Sequence, residues 1–304
     1  MSQGLSLLDS KQINTESAAR FIGARYSNRA GSRNYKLYIP KDSEQSETPL
    51  PLVVMLHACS QNADDFAKGT RMNELADVQP CYVLYPEQSS RDDGAQCWHW
   101  YQHEESSEQG EPAIIAGLTQ HITQEYNIDA NRVYVAGFSA GGAMAINLAA
   151  LYPRLYAAVG SCSGLAYQAA HDLFSAFTVM DSGVNTINKV ELAPPIIVFQ
   201  GAQDYTVNAK NAEQIISQFV SSEIPPEIMP NEAAAGRDYT RHVYFDKGGH
   251  RLAEHWLVHG AGHAWPGGSA KGSFTDPSGP DASREMLRFF SLFTRAQLAT
   301  DGED

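Results

Sequence analysis

Apolar residues along this chain gather into short runs, separated by longer segments in which they recur at helical spacing. The runs predict strands over residues 35–39, 52–57, 82–85, 133–136, 157–161, 196–199, 242–245 and 255–258. Several are apolar at nearly every position, the pattern of strands covered on both faces rather than on one. Between them, 113–126 places Ile114, Ile115, Leu118 and Ile122 on one helical face, with Pro112 suited to the first turn. Residues 140–151 and 209–220 read as further helices. Asp281 is placed to cap a last helix whose Met286, Leu287, Phe290 and Phe293 form an apolar stripe. Strands alternating with helices predict the α/β class with a mostly parallel sheet.

Two stretches break the rhythm: 87–110, polar but carrying Cys97-Trp98-His99-Trp100-Tyr101, and 163–194. Insertions of this kind sit over strand ends and shape a site, the alternative being tolerated surface loops. No repeat, low-complexity tract or Pro/Ser-rich linker divides the chain, so a single domain over residues 1–304 is expected, with its core over about 33–296. A hydrophobic fraction of 43% against 19% charged residues suffices to bury such a core.

The net charge of −13 argues against duplex nucleic acid and anionic membrane surfaces as partners, because phosphate affinity comes mainly from Lys and Arg. No apolar run approaches the roughly 18 residues of a membrane helix, so no membrane insertion is expected. Leu5, Leu7 and Leu8 lack a basic flank, and no signal peptide is read there; the protein is expected either to stay inside the cell or to have lost a leader. Cys59, Cys81, Cys97 and Cys162 are too sparse for a disulfide scaffold and have no metal-knuckle spacing.

Gly137-Phe138-Ser139-Ala140-Gly141 spells G-x-S-x-G between an apolar strand and a small-residue helix. That context is what a nucleophile elbow requires: a sharp turn at a strand tip, glycines where neighbouring backbone crowds in, and a helix N-terminus aimed at developing negative charge. Ser139 is the candidate nucleophile. It needs an imidazole base and a carboxylate to orient that base, in the chain order Ser, Asp, His. Asp204 follows the strand 196–199 in a loop suited to the acid, with a turn or cap role as the plain alternative; Asp172, Asp181 and Asp246 are the other candidates. His263, in the glycine-rich loop 260–268 after the last predicted strand, fits the base. His250 and His259 lie nearby, and His242 and His255 read as strand residues. His259 and His263 have the i, i+4 spacing of a zinc pair, but two glycines between them argue against the helix that such a pair needs, so no metal is expected. For the oxyanion, Ala140 supplies the N–H after the nucleophile. Cys59, just beyond strand 52–57, is the expected second donor, the alternative being a small buried hydrophobe.

These residues, with Leu56-His57-Ala58-Cys59-Ser60-Gln61-Asn62-Ala63-Asp64-Asp65-Phe66, Leu84-Tyr85-Pro86-Glu87-Gln88, Cys97-Trp98-His99-Trp100, Gly262-His263-Ala264-Trp265, Asp276-Pro277 and residues 279–283, resemble the polyhydroxybutyrate depolymerase and feruloyl esterase-like family of serine esterases. The resemblance runs over about 35–293, nearly the whole chain. It implies the α/β-hydrolase fold, with a mostly parallel central sheet and helices on both faces, and ester hydrolysis through an acyl-enzyme without a cofactor. It further implies a Cys59–Cys97 disulfide beside the site and a substrate groove lined by Trp98, Trp265 and His57, with Trp100 in the groove or the core. A disulfide favours an extracellular or periplasmic location and leaves the cytoplasm open. Two positions depart from the family pattern: Ala58 replaces a glycine, putting a Cβ beside the second oxyanion donor, and His99 replaces an asparagine.

The expected substrate is an ester or polyester, foremost a short-chain polyhydroxyalkanoate. Feruloyl or acetylxylan esters and a broad polyester range are the alternatives. No linker or binding module is read after the last helix, which tilts the expectation toward oligomers or soluble esters. A peptidase shares the triad without any specified peptide site, and a non-catalytic binding protein would lack a triad member. The sequence leaves oligomeric state open.

Overall fold

The computed structural model describes residues 18–43, 46–102, 109–184, 187–229 and 236–295. An antiparallel hairpin comes first, β1 (Arg20–Asn28) against β2 (Gly31–Ile39). There follow β3 (Leu50–Leu56), α1 (Ala63–Thr70), α2 (Met72–Val78), β4 (Tyr82–Glu87), α3 (Gly110–Glu125), β5 (Ile128–Phe138), α4 (Ala140–Leu151), β6 (Ala158–Cys162) and α5 (Leu173–Ser182). The chain continues through β7 (Ile196–Gly201), α6 (Lys210–Phe219), β8 (Glu227–Met229), β9 (Tyr239–Phe245), β10 (Arg251–Val258), a small ladder of β11 (Trp265–Pro266) with β12 (Thr275–Asp276), and α7 (Ala282–Phe290).

Ten strands form one sheet in the order β1-β2-β4-β3-β5-β6-β7-β10-β9-β8. From β4 through β10 the pairings are parallel; β1, β2, β8 and β9 run antiparallel at the two edges. Alternate residues of the central strands feed two separate cores. Leu52, Val54 and Leu56 of β3 join Val133 and Val135 of β5 on the face covered by α3, α4, α5 and α6. Val53 and Met55 join Tyr134, Ala136 and Phe138 on the face covered by α1, α2 and α7. Both sets of side chains leave water, which is why the strands read as continuous apolar runs. Helix α4 is buried from Ala140 through Ala149, the state expected of a helix apolar all round. The architecture is that of an α/β-hydrolase.

Beyond the predicted elements stand β1, α1, α2, α5 and the short strands β8, β11 and β12. Strand β1 extends the sheet upstream of residue 33, the expected start of the core. Helix α1 starts at Asn62, whose side chain accepts from the Asp65 N–H, and α5 has a full capping box between Asp172 and Ser175. Helix α7 ends at Phe290; Phe293 lies past it, yet packs on Phe289 at 4.9 Å between ring centroids, and its carbonyl accepts from the Tyr134 hydroxyl. The Leu5, Leu7 and Leu8 cluster is outside the described residues. Among the described residues, no helix is long and apolar enough to cross a membrane.

Candidate active site

Strand β5 delivers Ser139 at its C-terminal tip, with φ 55° and ψ −120°, a conformation that L-residues rarely adopt. The flanking glycines are required by contact. A Cβ on Gly137 would stand 2.2 Å from the Gly141 carbonyl oxygen, and one on Gly141 would stand 2.2 Å from that of Leu56 and 2.5 Å from that of His57. The second of these approaches lays the start of α4 against the end of β3, so two loops expected to supply oxyanion donors share one corner. Among the described residues, neither the Cys59 nor the Ala140 N–H donates a hydrogen bond.

His263 lies between Ser139 and Asp204. Its Nε2 is 2.9 Å from Ser139 Oγ and its Nδ1 is 2.7 Å from Asp204 Oδ2. A carboxylate only accepts, so Nδ1 carries the proton and Nε2 is left to accept from the serine hydroxyl. The other oxygen of Asp204 accepts from the N–H groups of Thr206 and Val207, at 2.9 and 2.8 Å. Burial alone would raise the Asp204 pKa; the hydrogen bond and charge of His263, with the Val207 and Thr206 amides, outweigh it and hold the carboxyl below its usual value. Gln200, which the sequence did not single out, ties this loop to β7 by donating to Asp204 Oδ2 at 3.2 Å and to the Val207 carbonyl at 2.9 Å. The arrangement can pass a proton from serine to imidazole and stabilise the resulting imidazolium.

The competing residues are engaged elsewhere. Asp172 caps α5, Asp246 accepts from the backbone and ring of His250, and His259 contacts Thr240. Asp181 falls within α5. His242 and His255 face one another on β9 and β10, as strand residues. Among the described residues, no group of three or more His, Cys, Asp or Glu side chains is placed to hold a metal ion.

Cys59 and Cys97 are joined by a disulfide, while Cys81 and Cys162 are free and buried. Ala58 is buried, and the left-handed residue of its loop is Ser60, at φ 62°, so position 58 does not need glycine for its backbone. His99 accepts a place in the loop network, its ring 3.1 Å from Asp93.

The groove expected from Trp98, Trp265 and His57 requires correction. Trp98 is 0% and Trp265 1% exposed, so neither offers a face to an acyl chain. Trp98 Nε1 donates to the His57 carbonyl, and Trp265 Nε1 donates to Ser283 Oγ while its ring packs edge-on against Phe66. Each spends its polar edge on the scaffold, as a buried indole must. His57 is equally enclosed: Nδ1 donates to the Ala58 carbonyl at 2.8 Å and Nε2 accepts from the Gln88 N–H at 3.0 Å. Trp100 is likewise in the core. Exposed apolar side chains include Leu173, Phe174 and Phe177 of α5, and Tyr205, which is 95% exposed next to Asp204. Helix α5 is anchored to the Asp204 loop, its Met180 carbonyl accepting from the Asn208 N–H at 2.8 Å.

The chain is similar in sequence and in fold to known esterases. Residues 33–224 match the sequence model described as esterase PHB depolymerase. Poly(3-hydroxyalkanoate) depolymerase C of Paucimonas lemoignei is 30% identical over 230 residues, 71% of this chain, and the match spans 55% of that relative's length. Feruloyl esterase B of Thermothelomyces thermophilus is 27% identical over 203 residues, covering 60% of this chain and 68% of that one. Among solved structures, the acetyl xylan esterase of Aspergillus awamori superposes with a TM-score of 0.67 at 16% identity, over 91% of this chain and all of that one, a likeness of fold. With the matched family sequence covering most of the chain and the fold it implies in place, the chain belongs to the esterase PHB depolymerase family of α/β-hydrolase serine esterases.

Proposed function

We propose that this protein hydrolyses carboxylic esters of short-chain polyhydroxyalkanoates, with Ser139 as nucleophile, His263 as general base and acid, and Asp204 orienting His263. The carrying observation is the single hydrogen-bonded line from Ser139 Oγ through His263 to Asp204. Ser139 Oγ attacks the ester carbonyl carbon as its proton passes to His263 Nε2. The oxyanion is received by the N–H groups of Cys59 and Ala140. Collapse breaks the bond to the leaving alkoxide, which takes the proton from His263, and leaves the acyl group on Ser139. Water then attacks the acyl-enzyme, giving its proton to His263, and the acid departs with Ser139 restored.

The depolymerase relative supports a polyester over a simple ester. So do the exposed Leu173, Phe174 and Phe177, an apolar face on a helix anchored to the catalytic loop, of the kind that marks a binding surface. The similarity to a feruloyl esterase keeps a plant-polysaccharide ester as the second reading. The residues act as one catalytic domain, and the disulfide supports an extracellular or periplasmic location.

The test is a hydrolysis panel with the wild-type protein and Ser139→Ala: 3-hydroxybutyrate oligomers, an amorphous polyester, methyl ferulate and p-nitrophenyl esters of rising length. Release of hydroxybutyrate units by wild type alone is the expected result. Turnover of ferulate without hydroxybutyrate transfers the assignment to the second reading, and equal rates for both proteins remove Ser139 as nucleophile.

A further inference from the structure

Glu111, in the first turn of α3, is 2% exposed and far along the chain from every residue of the triad, yet it is the hub of a buried network that ends at the oxyanion loop. Its Oε1 accepts from Arg33 Nη2 at 2.7 Å and from Gln88 Nε2, and its Oε2 accepts from the His99 N–H at 2.9 Å. Gln88, at the end of β4 and 1% exposed, extends the network in two directions. Its side chain donates to the Cys97 carbonyl at 2.9 Å, and its backbone N–H donates to His57 Nε2 at 3.0 Å.

The loop thus reached is held by hydrogen bonds on both sides of Cys59. The His57 carbonyl accepts from Trp98 Nε1, the Ala58 carbonyl accepts from His57 Nδ1, the Ala58 N–H donates to Gln61 Oε1, and the Ser60 N–H donates to the Ala95 carbonyl. The disulfide to Cys97 fixes the Cys59 side chain. Between these contacts, the Cys59 N–H donates no hydrogen bond among the described residues. A donor that must be in place before negative charge develops gains from such a surrounding, because it has no reorganisation left to undergo.

We propose that Glu111 and Gln88 are positioning residues for ester hydrolysis: through Cys97 and His57 they set the direction of the Cys59 N–H toward the transition-state oxyanion. The inference rests on the assignment of Ser139 and of the Cys59 donor above. It attributes the network to the rate of the chemical step and not to folding alone.

Gln88→Met is the informative variant, since it removes the bridging amide, keeps the volume and leaves the Arg33–Glu111 ion pair intact; Glu111→Gln is the second. The probe is p-nitrophenyl butyrate, and active serine is counted by titration with diethyl p-nitrophenyl phosphate, so that unfolded protein drops out of the measurement. The expected result is a fall in kcat per titrated serine of about tenfold to a hundredfold in both variants with KM within twofold, the signature of a group acting only in the transition state. Wild-type kcat per titrated serine, even with much protein lost to unfolding, overturns the proposal, as does a change in KM alone. Absence of turnover by the wild type would instead overturn the esterase reading beneath it.

Discussion

The ring of Phe138 lies 4.9 Å from the ring of His263, centroid to centroid, at an interplanar angle of 33°. The residue immediately before the candidate nucleophile therefore supports the candidate base from below. An imidazole hydrogen-bonded at both nitrogens still needs its plane fixed, and an aromatic face does this without competing for protons. Phe138→Ala is expected to lower kcat for p-nitrophenyl butyrate by about tenfold to a hundredfold, since small misplacements of a catalytic group have effects of that order. Steady-state kinetics with KM measured alongside checks it.

Asp204→Asn offers His263 an amide in place of a carboxylate. An amide that donates to Nδ1 selects the tautomer with the proton on Nε2, which cannot accept from Ser139. A fall in kcat of about 10⁴-fold is expected, with the protein still folded. Activity on the same ester and a circular dichroism melt together separate this from unfolding.

Replacing both Cys59 and Cys97 with serine opens a bridge between positions 38 residues apart. By the loop-closure argument this destabilises the protein by about 3–4 kcal/mol. Urea unfolding gives the loss, and kcat is expected to fall with it because Cys59 carries the proposed oxyanion donor.

Two buried histidines make stability depend on pH. His57 is held at about 4 mainly by burial, against the opposing influence of the Ala58 carbonyl and Asp65; His255 is held at about 4 by burial and then by His242. Both values lie below that of histidine in the unfolded chain, so on acidification the unfolded chain takes up protons first. Each contribution is complete above about pH 6.5 and is lost between there and about 4, amounting to about 3 kcal/mol per histidine. Urea midpoints at pH 7.5 and 5 should show the fall, and His255→Gln should flatten its share of it.

The apolar face of α5 predicts a difference between substrates. Phe174→Ser with Phe177→Ser should lower the ratio of activity on amorphous polyester to activity on p-nitrophenyl butyrate by about tenfold, equivalent to roughly 1.4 kcal/mol of lost surface contact. Parallel rates on the two substrates are the check.

The strands of the parallel core were legible because both faces are buried, which leaves no polar residue to blur the run. The elbow was legible because its glycines answer to a crowding that any sequence must respect. Strand β1 escaped because it is an edge: its residues are mostly exposed or half-buried, with no apolar alternation to betray them. Helix α5 escaped for the opposite reason, since Leu173, Phe174 and Phe177 point outward and spoil the expected period, although Asp172 and Gly183 mark its ends. The tryptophans beside Cys97 and His263 could be placed near the site by sequence neighbourhood, but neighbourhood does not say which side of the chain a ring faces. Glu111 gave no signal, because a single buried carboxylate has neither period nor spacing, and Gln88 stood in a family-like segment that assigned it no role.

Ser139 is held at φ 55° and ψ −120°, a backbone state that glycine tolerates far better than serine, with a strain of about 1–3 kcal/mol. Laboratory evolution that scores only survival of heating therefore favours glycine at the one position where the proposed mechanism needs a hydroxyl. Lineages selected for robustness alone would drift toward inert protein, and a turnover screen has to accompany every round.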